Sequence, residues 1–144
     1  MKKIFEQIIT ELCVLKHLGD PTPFLKGAPI NVNGSMCTLI YDDASRPDRL
    51  FLYVVFGYAA SGLEAAIFET LLRQNHVGFE GRGPGFCLSA TSGKVGHVIH
   101  FDLFNTDADQ LASAMVYYAN KAEEWRRTYF LPRSSAAGAS VKSV

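Results

Sequence analysis

The sequence has no excess of charge of either sign, because its 144 residues carry 14 Lys and Arg against 14 Asp and Glu. Proteins hold a polyanion largely through clustered basic residues that release its counterions. The balance of charge therefore excludes nucleic acid as the expected partner. The chain also lacks a run of about 18 consecutive apolar residues, the length that spans a bilayer, so we expect no membrane insertion.

An unbroken apolar segment is missing from the start of the chain as well. Polar and charged residues interrupt the first 18 positions: Glu6, Gln7, Thr10, Glu11 and Lys16. A secretory signal requires a continuous apolar segment after its basic start. The sequence therefore predicts a protein that stays in the cytoplasm.

Cysteine is scarce, since Cys13, Cys37 and Cys87 are odd in number, far apart and without a CxxC pair. Zinc knuckles and redox switches need such pairs, so we expect no metal site and three reduced, buried thiols. A thiol enzyme would need Cys37 or Cys87 beside His97 or His100, because a nearby imidazole stabilises the thiolate. All four fall in predicted strands, where the odd spacing puts the histidines on opposite faces. The sequence predicts neither a catalytic centre nor a cofactor.

What the sequence does contain is ample apolar material, at 48% hydrophobic residues. In a chain of this length, that amount predicts one domain with a single core, over residues 1–131. Residues 132–144 are rich in Ser, Ala and Gly and offer little apolar surface, so they are predicted to form a flexible tail.

The first helix is predicted before residue 19, where Gly19-Asp20-Pro21 ends a run of helical periodicity. The apolar positions of this run are Ile4, Phe5, Ile8, Ile9, Leu12, Leu15 and Leu18. They cover an arc of about 180°, wider than the ~100° stripe that packing on one core surface needs. Part of the helix is therefore expected to face a partner, although a wide arc also suits a helix deep in the core.

Five strands are predicted, over residues 28–32, 36–42, 50–56, 86–90 and 95–103. Asn33-Gly34 joins the first pair, and both residues tolerate the positive φ of a tight hairpin. Thr91-Ser92-Gly93-Lys94 joins the last pair. The third strand is apolar at nearly every position and is expected to need cover on both faces.

Two more helices are predicted from capping-box spacing, in which a side chain at each of two positions accepts from an exposed backbone N–H. Ser61 and Glu64 begin the middle helix, and Thr106 and Asp109 begin the last one, which Pro132 ends. Strands joined by short hairpins favour an antiparallel sheet. The sequence thus predicts an α+β fold of about five strands and three helices, in the order α-β-β-β-α-β-β-α.

The middle helix carries two apolar ridges roughly 120° apart. One ridge consists of Leu63, Ile67 and Leu71, and the other of Ala65, Phe68 and Leu72. One can pack on the sheet, which leaves the other for a different surface. Monomers of this size seldom expose such patches, so self-association is favoured over full burial within one subunit.

At this point the sequence resembles the Tir-chaperone (CesT) family of type III secretion chaperones. Residues 28–39, with an Asn-Gly turn leading into a Cys-Thr-Leu strand, look like the first hairpin of that family. Residues 63–75, ending Leu-Leu-Arg-Gln-Asn, look like its middle helix. Residues 86–102, with Ser-Gly at the turn, and the last helix with Glu-Glu-Trp-Arg at 123–126 also match. The resemblance covers nearly all of residues 1–127.

The resemblance implies a class I secretion chaperone, a homodimer that binds the N-terminal region of a secreted effector in extended form. It also implies the secretion ATPase as a partner of the loaded complex, with no cofactor or metal. Effector contact is carried onto Ile4, Phe5, Ile8, Ile9 and Leu12. Dimer contact is carried onto Leu63, Ile67, Leu71 and Leu72. A small thiol enzyme and an adaptor that binds a folded partner are the alternatives.

Overall fold

The computed structural model describes residues 1–77 and 83–132. The helices are α1 (Lys2–Leu15), α2 (Thr22–Leu25), α3 (Glu64–Val77) and α4 (Ala108–Thr128), with a 3₁₀ turn at Leu103–Asn105. The strands are β1 (Ile30–Val32), β2 (Ser35–Ile40), β3 (Arg49–Gly57), β4 (Gly85–Leu88) and β5 (Val95–Asp102). The predicted α+β class, the five strands and the order of the long elements are confirmed. The short helix α2 was not predicted.

The five strands form one antiparallel sheet in the order β1-β2-β3-β5-β4. The central strand β3 alternates, with Leu50, Leu52, Val54 and Phe56 fully buried and the residues between them half-buried. α4 crosses the buried face and α1 packs beside it. The expectation that β3 needs cover on both faces is wrong: among residues 1–77 and 83–132, helices enclose one face, and the residues of the other face are half-buried.

The first hairpin turns as predicted. Asn33 and Gly34 have φ values of 52° and 89°, the left-handed conformation that a two-residue turn requires at both positions. Ser35, the first residue after the turn, is buried, and its hydroxyl donates to the carbonyl oxygen of Ala119 on α4. The turn thereby fixes the register of β1 and β2 against the core.

The start of α4 lies one residue later than predicted. Asp107 is the N-cap: its carboxylate accepts from the Gln110 N–H at 2.8 Å, and the Gln110 side chain accepts from the Asp107 N–H at 3.0 Å. Thr106 instead donates its hydroxyl proton to the Asp102 carbonyl oxygen. The predicted capping box of Thr106 and Asp109 is therefore wrong. Asp107 and Gln110 have the same spacing one position later, and they form the box instead.

The start of α3 also differs from the prediction. The helix begins at Glu64, because Gly62 has a φ of 90° and cannot belong to a right-handed helix. The Glu64 carboxylate accepts from the Gly62 N–H at 2.7 Å, so the predicted capping box with Ser61 is wrong.

The end of α4 is fixed by Trp125, Arg126 and Tyr129. Trp125 is fully buried against the ring of Phe56. Arg126 donates to the Phe56 carbonyl oxygen at 3.1 Å and to the Ser35 hydroxyl at 2.7 Å. Tyr129, with a φ of 53°, ends the helix before the predicted stop at Pro132. Residues 133–144 of the predicted tail lie outside the described residues.

In the parts of the chain that the structure describes, no helix is both long and apolar enough to cross a membrane.

Candidate partner-binding site

The structure places most of the predicted effector-contact residues of α1 in the core. Phe5, Ile8, Ile9 and Leu12 are buried, and Ile4 is half-buried against the same cluster. Ile8 and Ile9 therefore offer almost no surface to a partner in this conformation. The wide apolar arc of α1 is filled largely from within the subunit.

Two of these buried residues, Phe5 and Leu12, nevertheless line pockets, one towards each end of α1. Phe5 lines a cleft of about 410 Å³ between α1, α2 and the end of β2, here called the α1–α2 cleft. The ring of Tyr41 stacks on Phe5 with centroids 4.6 Å apart, and Leu25 of α2 lies beside them. Charged residues also line this cleft: Lys2, Glu6, Lys26, Asp42 and Asp43.

Tyr41 is held in place from the loop that follows β2. Its hydroxyl donates to the Pro47 carbonyl oxygen at 2.9 Å. Partial burial, followed by the nearby carboxylates of Asp43, Asp42 and Asp48, raises the pKa of Tyr41, so the phenol stays neutral. One wall of the α1–α2 cleft is therefore the Tyr41 ring, which is held in place by this hydrogen bond and by its stacking on Phe5.

Leu12 lines the second pocket, a groove of about 190 Å³ between α1, β1 and α4, here called the β1 groove. Ile30 and Val32 of β1 and Met115 and Val116 of α4 supply further apolar walls. Because β1 is an edge strand, the β1 groove runs alongside an unpaired edge of the sheet. An extended segment lying along this edge would have an apolar pocket within reach of its side chains.

The predicted dimer residues of α3 divide between its two sides. Ile67 and Leu71 are buried in the core, whereas Leu63 and Leu72 are exposed, Leu72 at 66%. Ile67 and Leu71, which were expected at a contact between subunits, therefore hold α3 on its own subunit and leave almost no surface for such a contact. The surface opposite is a shallow depression lined by Ala65, Phe68, Glu69, Leu72, Arg73 and His76, here called the α3 face.

The thiols and histidines do not come together as an enzyme would need. Burial raises the pKa of the Cys37 thiol to about 11 and lowers the pKa of His97 to about 4. Val54 of β3 lies between them, because it pairs with Cys37 of β2 on one side and with His97 of β5 on the other. The thiol and the imidazole are therefore two strands apart. His97 contacts Tyr118 of α4 whereas His100 contacts Arg49 and Phe51 on the open face of the sheet, as their spacing predicted.

Cys87 is exposed, not buried as predicted, because β4 is an edge strand and the residue lies on the open face. Cys13 and Cys37 are buried as expected. Within residues 1–77 and 83–132, no group of three or more His, Cys, Asp and Glu side chains is arranged to hold a metal ion.

The comparison of the sequence with known families now decides the identity. The model of the Tir chaperone protein (CesT) family matches residues 30–126. The chain belongs to this family. The resemblance drawn from the sequence is thereby confirmed. No curated protein sequence matches this CesT-family chain.

Solved structures share the fold of this CesT-family chain at low sequence identity. A chain of the HopA1–SchA chaperone–effector complex is 15% identical, with a TM-score of 0.67 over 88% of this chain and 96% of that one. A chain of the complex of the Yersinia pestis type III secretion chaperone SycH with a YscM2 fragment is 14% identical, with a TM-score of 0.62 over 83% and 98%. A chain of the ExsC–ExsE complex is 16% identical, with a TM-score of 0.65 over 93% and 98%.

Sequence reasoning missed the residues that complete the two pockets of this CesT-family chain. α2 was not predicted, although a proline in the first turn, here Pro23, is a recognised start signal for a helix. Leu25 was missed with it. Tyr41 was assigned to a strand, and no sequence pattern indicated that its ring would stack on Phe5, because their contact depends on the tertiary fold.

Proposed function

We propose that this chain is a type III secretion chaperone that binds the N-terminal region of a cognate effector in extended form. Family membership supports the class of function, and the observation that carries the mode of binding is the pair of pockets at the two ends of α1. Each pocket has an apolar floor made by a residue of α1, Phe5 or Leu12. The two pockets suit separate side chains of one extended segment better than one compact surface.

Each of the two pockets can bind a separate side chain of an unfolded client. An apolar side chain that enters the α1–α2 cleft or the β1 groove leaves water, which stabilises the complex without requiring a folded partner. The charged rim of the α1–α2 cleft carries both signs, with Lys2 and Lys26 opposed by Asp42 and Asp43. We infer that this rim selects the register of the client through its charges, while the floors supply affinity.

We further propose a homodimer that forms through the α3 face, with Leu72 from each subunit at the contact. The exposure of Leu72 supports the assignment, and the buried Ile67 and Leu71 hold α3 against its own subunit. Leu63 is also exposed, but it precedes α3 and does not line this face. A two-fold contact would place Leu72 near its own copy, as expected for a self-complementary patch. The dimer would act in the cytoplasm, keep the client soluble and present it to the secretion ATPase.

The test is to co-express the chain with a secreted protein encoded beside its gene and to measure capture of that protein's N-terminal region. Leu25→Glu in the α1–α2 cleft and Val116→Glu in the β1 groove should each weaken capture at least tenfold. Val14→Glu is the matched control, because Val14 is an exposed apolar residue of α1 outside both pockets. Equal capture by all three variants would refute the pockets.

Limited proteolysis separates the chaperone from its main alternative. A chaperone should protect a client segment that is cleaved rapidly when alone. An adaptor should bind a domain that already resists the protease. Protection of an otherwise sensitive segment of the client is the expected result.

A further inference from the structure

The two edge strands of the sheet differ in whether a side chain from another element bonds to their backbone. β1 and β4 are the edge strands, and each turns part of its backbone away from its neighbour. Such unpaired N–H and C=O groups form a template on which another extended chain can add a strand. Which edge is open therefore determines where an extended client can pair.

The edge of β4 is occupied by a side chain. The Asn75 amide group donates from Nδ2 to the Phe86 carbonyl oxygen at 3.1 Å, and its Oδ1 accepts from the Phe86 N–H at 2.7 Å. These are the two bonds that a neighbouring strand would make at this position. Asn75 lies in the last turn of α3 and is half-buried.

The position of Phe86 makes this occupation effective. The backbone N–H and C=O of Phe86 bond to Asn75, and the Ser89 N–H bonds to the Lys94 carbonyl oxygen across the turn. Because the direction of these groups alternates along an antiparallel strand, the backbone groups of Phe86 and Leu88 face away from β5. With Phe86 taken, Leu88 is the one outward residue that remains on this strand. Backbone pairing at one residue does not by itself offset the entropy of ordering an added strand.

The edge of β1 is free of such a side chain in the described residues. The closing pair of the hairpin, Val32 with Ser35, directs the backbone of Asn31 outward. Asn31 is exposed, and its own side chain accepts from the Gly34 N–H within the hairpin. Since β1 is short, the adjoining β1 groove must supply much of the affinity for a strand added here.

We propose that Asn75 closes the β4 edge to an incoming strand and so directs the extended client to β1. This rests on the proposed function, and it makes Asn75 a positioning residue that acts on the client through Phe86. An amide is suited to the role because it both donates and accepts at one backbone position. Aspartate at position 75 can accept from the N–H of Phe86 but cannot donate to its carbonyl oxygen.

The first measurement needs no client. Amide hydrogen exchange followed by NMR should show the Phe86 N–H protected in the wild type. In Asn75→Ala its exchange should be faster by about tenfold or more, as expected for the loss of one hydrogen bond to a partly buried group. Asn120→Ala, the same substitution at an exposed position of α4, is the control and should leave this amide unchanged. Unchanged protection in Asn75→Ala would overturn the proposal.

The second measurement uses a synthetic strand as the probe. The peptide has eight residues of alternating Val and Thr, is N-methylated at every second residue so that one edge alone can pair, and carries a nitroxide label. In the wild type the label should broaden the Asn31 amide resonance and leave that of Leu88 sharp. In Asn75→Ala both should broaden, and Asn75→Asp should lie between the two.

The outcomes of this experiment test the closure of β4 by Asn75 separately from the proposed function. Broadening at Leu88 in the wild type, or identical patterns in the wild type and Asn75→Ala, would overturn the role of Asn75. Broadening that appears at Leu88 in Asn75→Ala, with none at Asn31 in any variant, would support closure by Asn75 and refute pairing at β1. The same comparison in the Leu72→Asp background excludes cover of β4 by a second subunit as the cause.

Discussion

Leu71 and Leu72 are neighbours on α3, yet the structure predicts opposite consequences for replacing them with Asp. Leu71 is 4% exposed and packs in the core, whereas Leu72 is 66% exposed on the α3 face. Leu71→Asp removes a core side chain, which costs about 2–5 kcal/mol even for replacement by Ala, and adds the cost of burying a carboxylate. The total is comparable with the roughly 5–15 kcal/mol that stabilises a whole domain, so this variant should not fold.

Leu72→Asp should leave the subunit folded, since exposed substitutions usually change stability by no more than about 0.5 kcal/mol. Full burial of a leucine contributes about 1.5–3 kcal/mol, so the exposed two-thirds of Leu72 can contribute about 1–2 kcal/mol on dimerisation. Two copies in a two-fold dimer give about 2–4 kcal/mol. The dimer of Leu72→Asp should therefore be weaker by roughly 30- to 700-fold.

Sedimentation equilibrium over a dilution series measures this change directly, and thermal unfolding checks that the subunit remains folded. Val14→Asp is the matched control, because Val14 is 73% exposed on α1 and lies away from the α3 face. It should dimerise as the wild type does. A monomeric wild type at micromolar concentration, or a Leu72→Asp protein with the wild-type dissociation constant, would contradict the assignment of the α3 face.

Three further predictions concern the sheet. Because burial lowers the pKa of His97 from 6.5 to about 4, the unfolded chain binds a proton between these values that the folded chain does not. The free energy of unfolding should therefore fall as the pH drops from 6.5 towards 4, by up to about 3 kcal/mol, and His97→Phe should remove this part in denaturant titrations. Gly96→Ala would force a Cβ into the Tyr53 ring, so it should destabilise by about 1–3 kcal/mol in thermal melts, and Tyr53→Leu should relieve the clash. Alkylation of the folded protein followed by mass spectrometry should label Cys87 rapidly and spare the two buried thiols, whereas rapid labelling of Cys37 would revive the thiol-enzyme alternative.

Periodicity predicted most of the fold because each long element carries its own pattern. The apolar run of residues 50–56 and the Asn33-Gly34 turn are local signals, and the structure confirms the strand and the turn that they predicted. The starts of α3 and α4 were misplaced for different local reasons. At α4 a second pair, Asp107 and Gln110, offers the same capping-box spacing. At α3 the positive φ of Gly62 prevents the helix from beginning at Ser61.

The candidate site was less predictable, because a helical wheel shows which residues are apolar and not what covers them. The arc of α1 was correctly recognised as wide, yet Ile8 and Ile9 are covered within the subunit. On α3 the two ridges are similar in sequence, and only the tertiary structure shows that Ile67 and Leu71 face inward while Leu72 faces outward. The bonds from the Asn75 side chain to the Phe86 backbone join residues 11 positions apart, which no periodicity encodes.

The small size of the pockets has a consequence for the role of the dimer. Each pocket accommodates about one large apolar side chain, which contributes about 1.5–3 kcal/mol when buried, so one subunit supplies about 3–6 kcal/mol. Ordering the client backbone costs about 1–2 kcal/mol per residue, which offsets that gain within a few residues. A second subunit doubles the number of pockets and makes the later contacts intramolecular, which can raise affinity by about 10²–10⁴.

We therefore predict that monomeric Leu72→Asp, with both of its pockets intact, binds a long client segment at least about 100-fold more weakly than the wild type. It should bind a short segment that fills one subunit's pockets as well as the wild type does. Fluorescence anisotropy with labelled long and short segments tests this, and equal loss for both lengths would mean that Leu72 contacts the client itself.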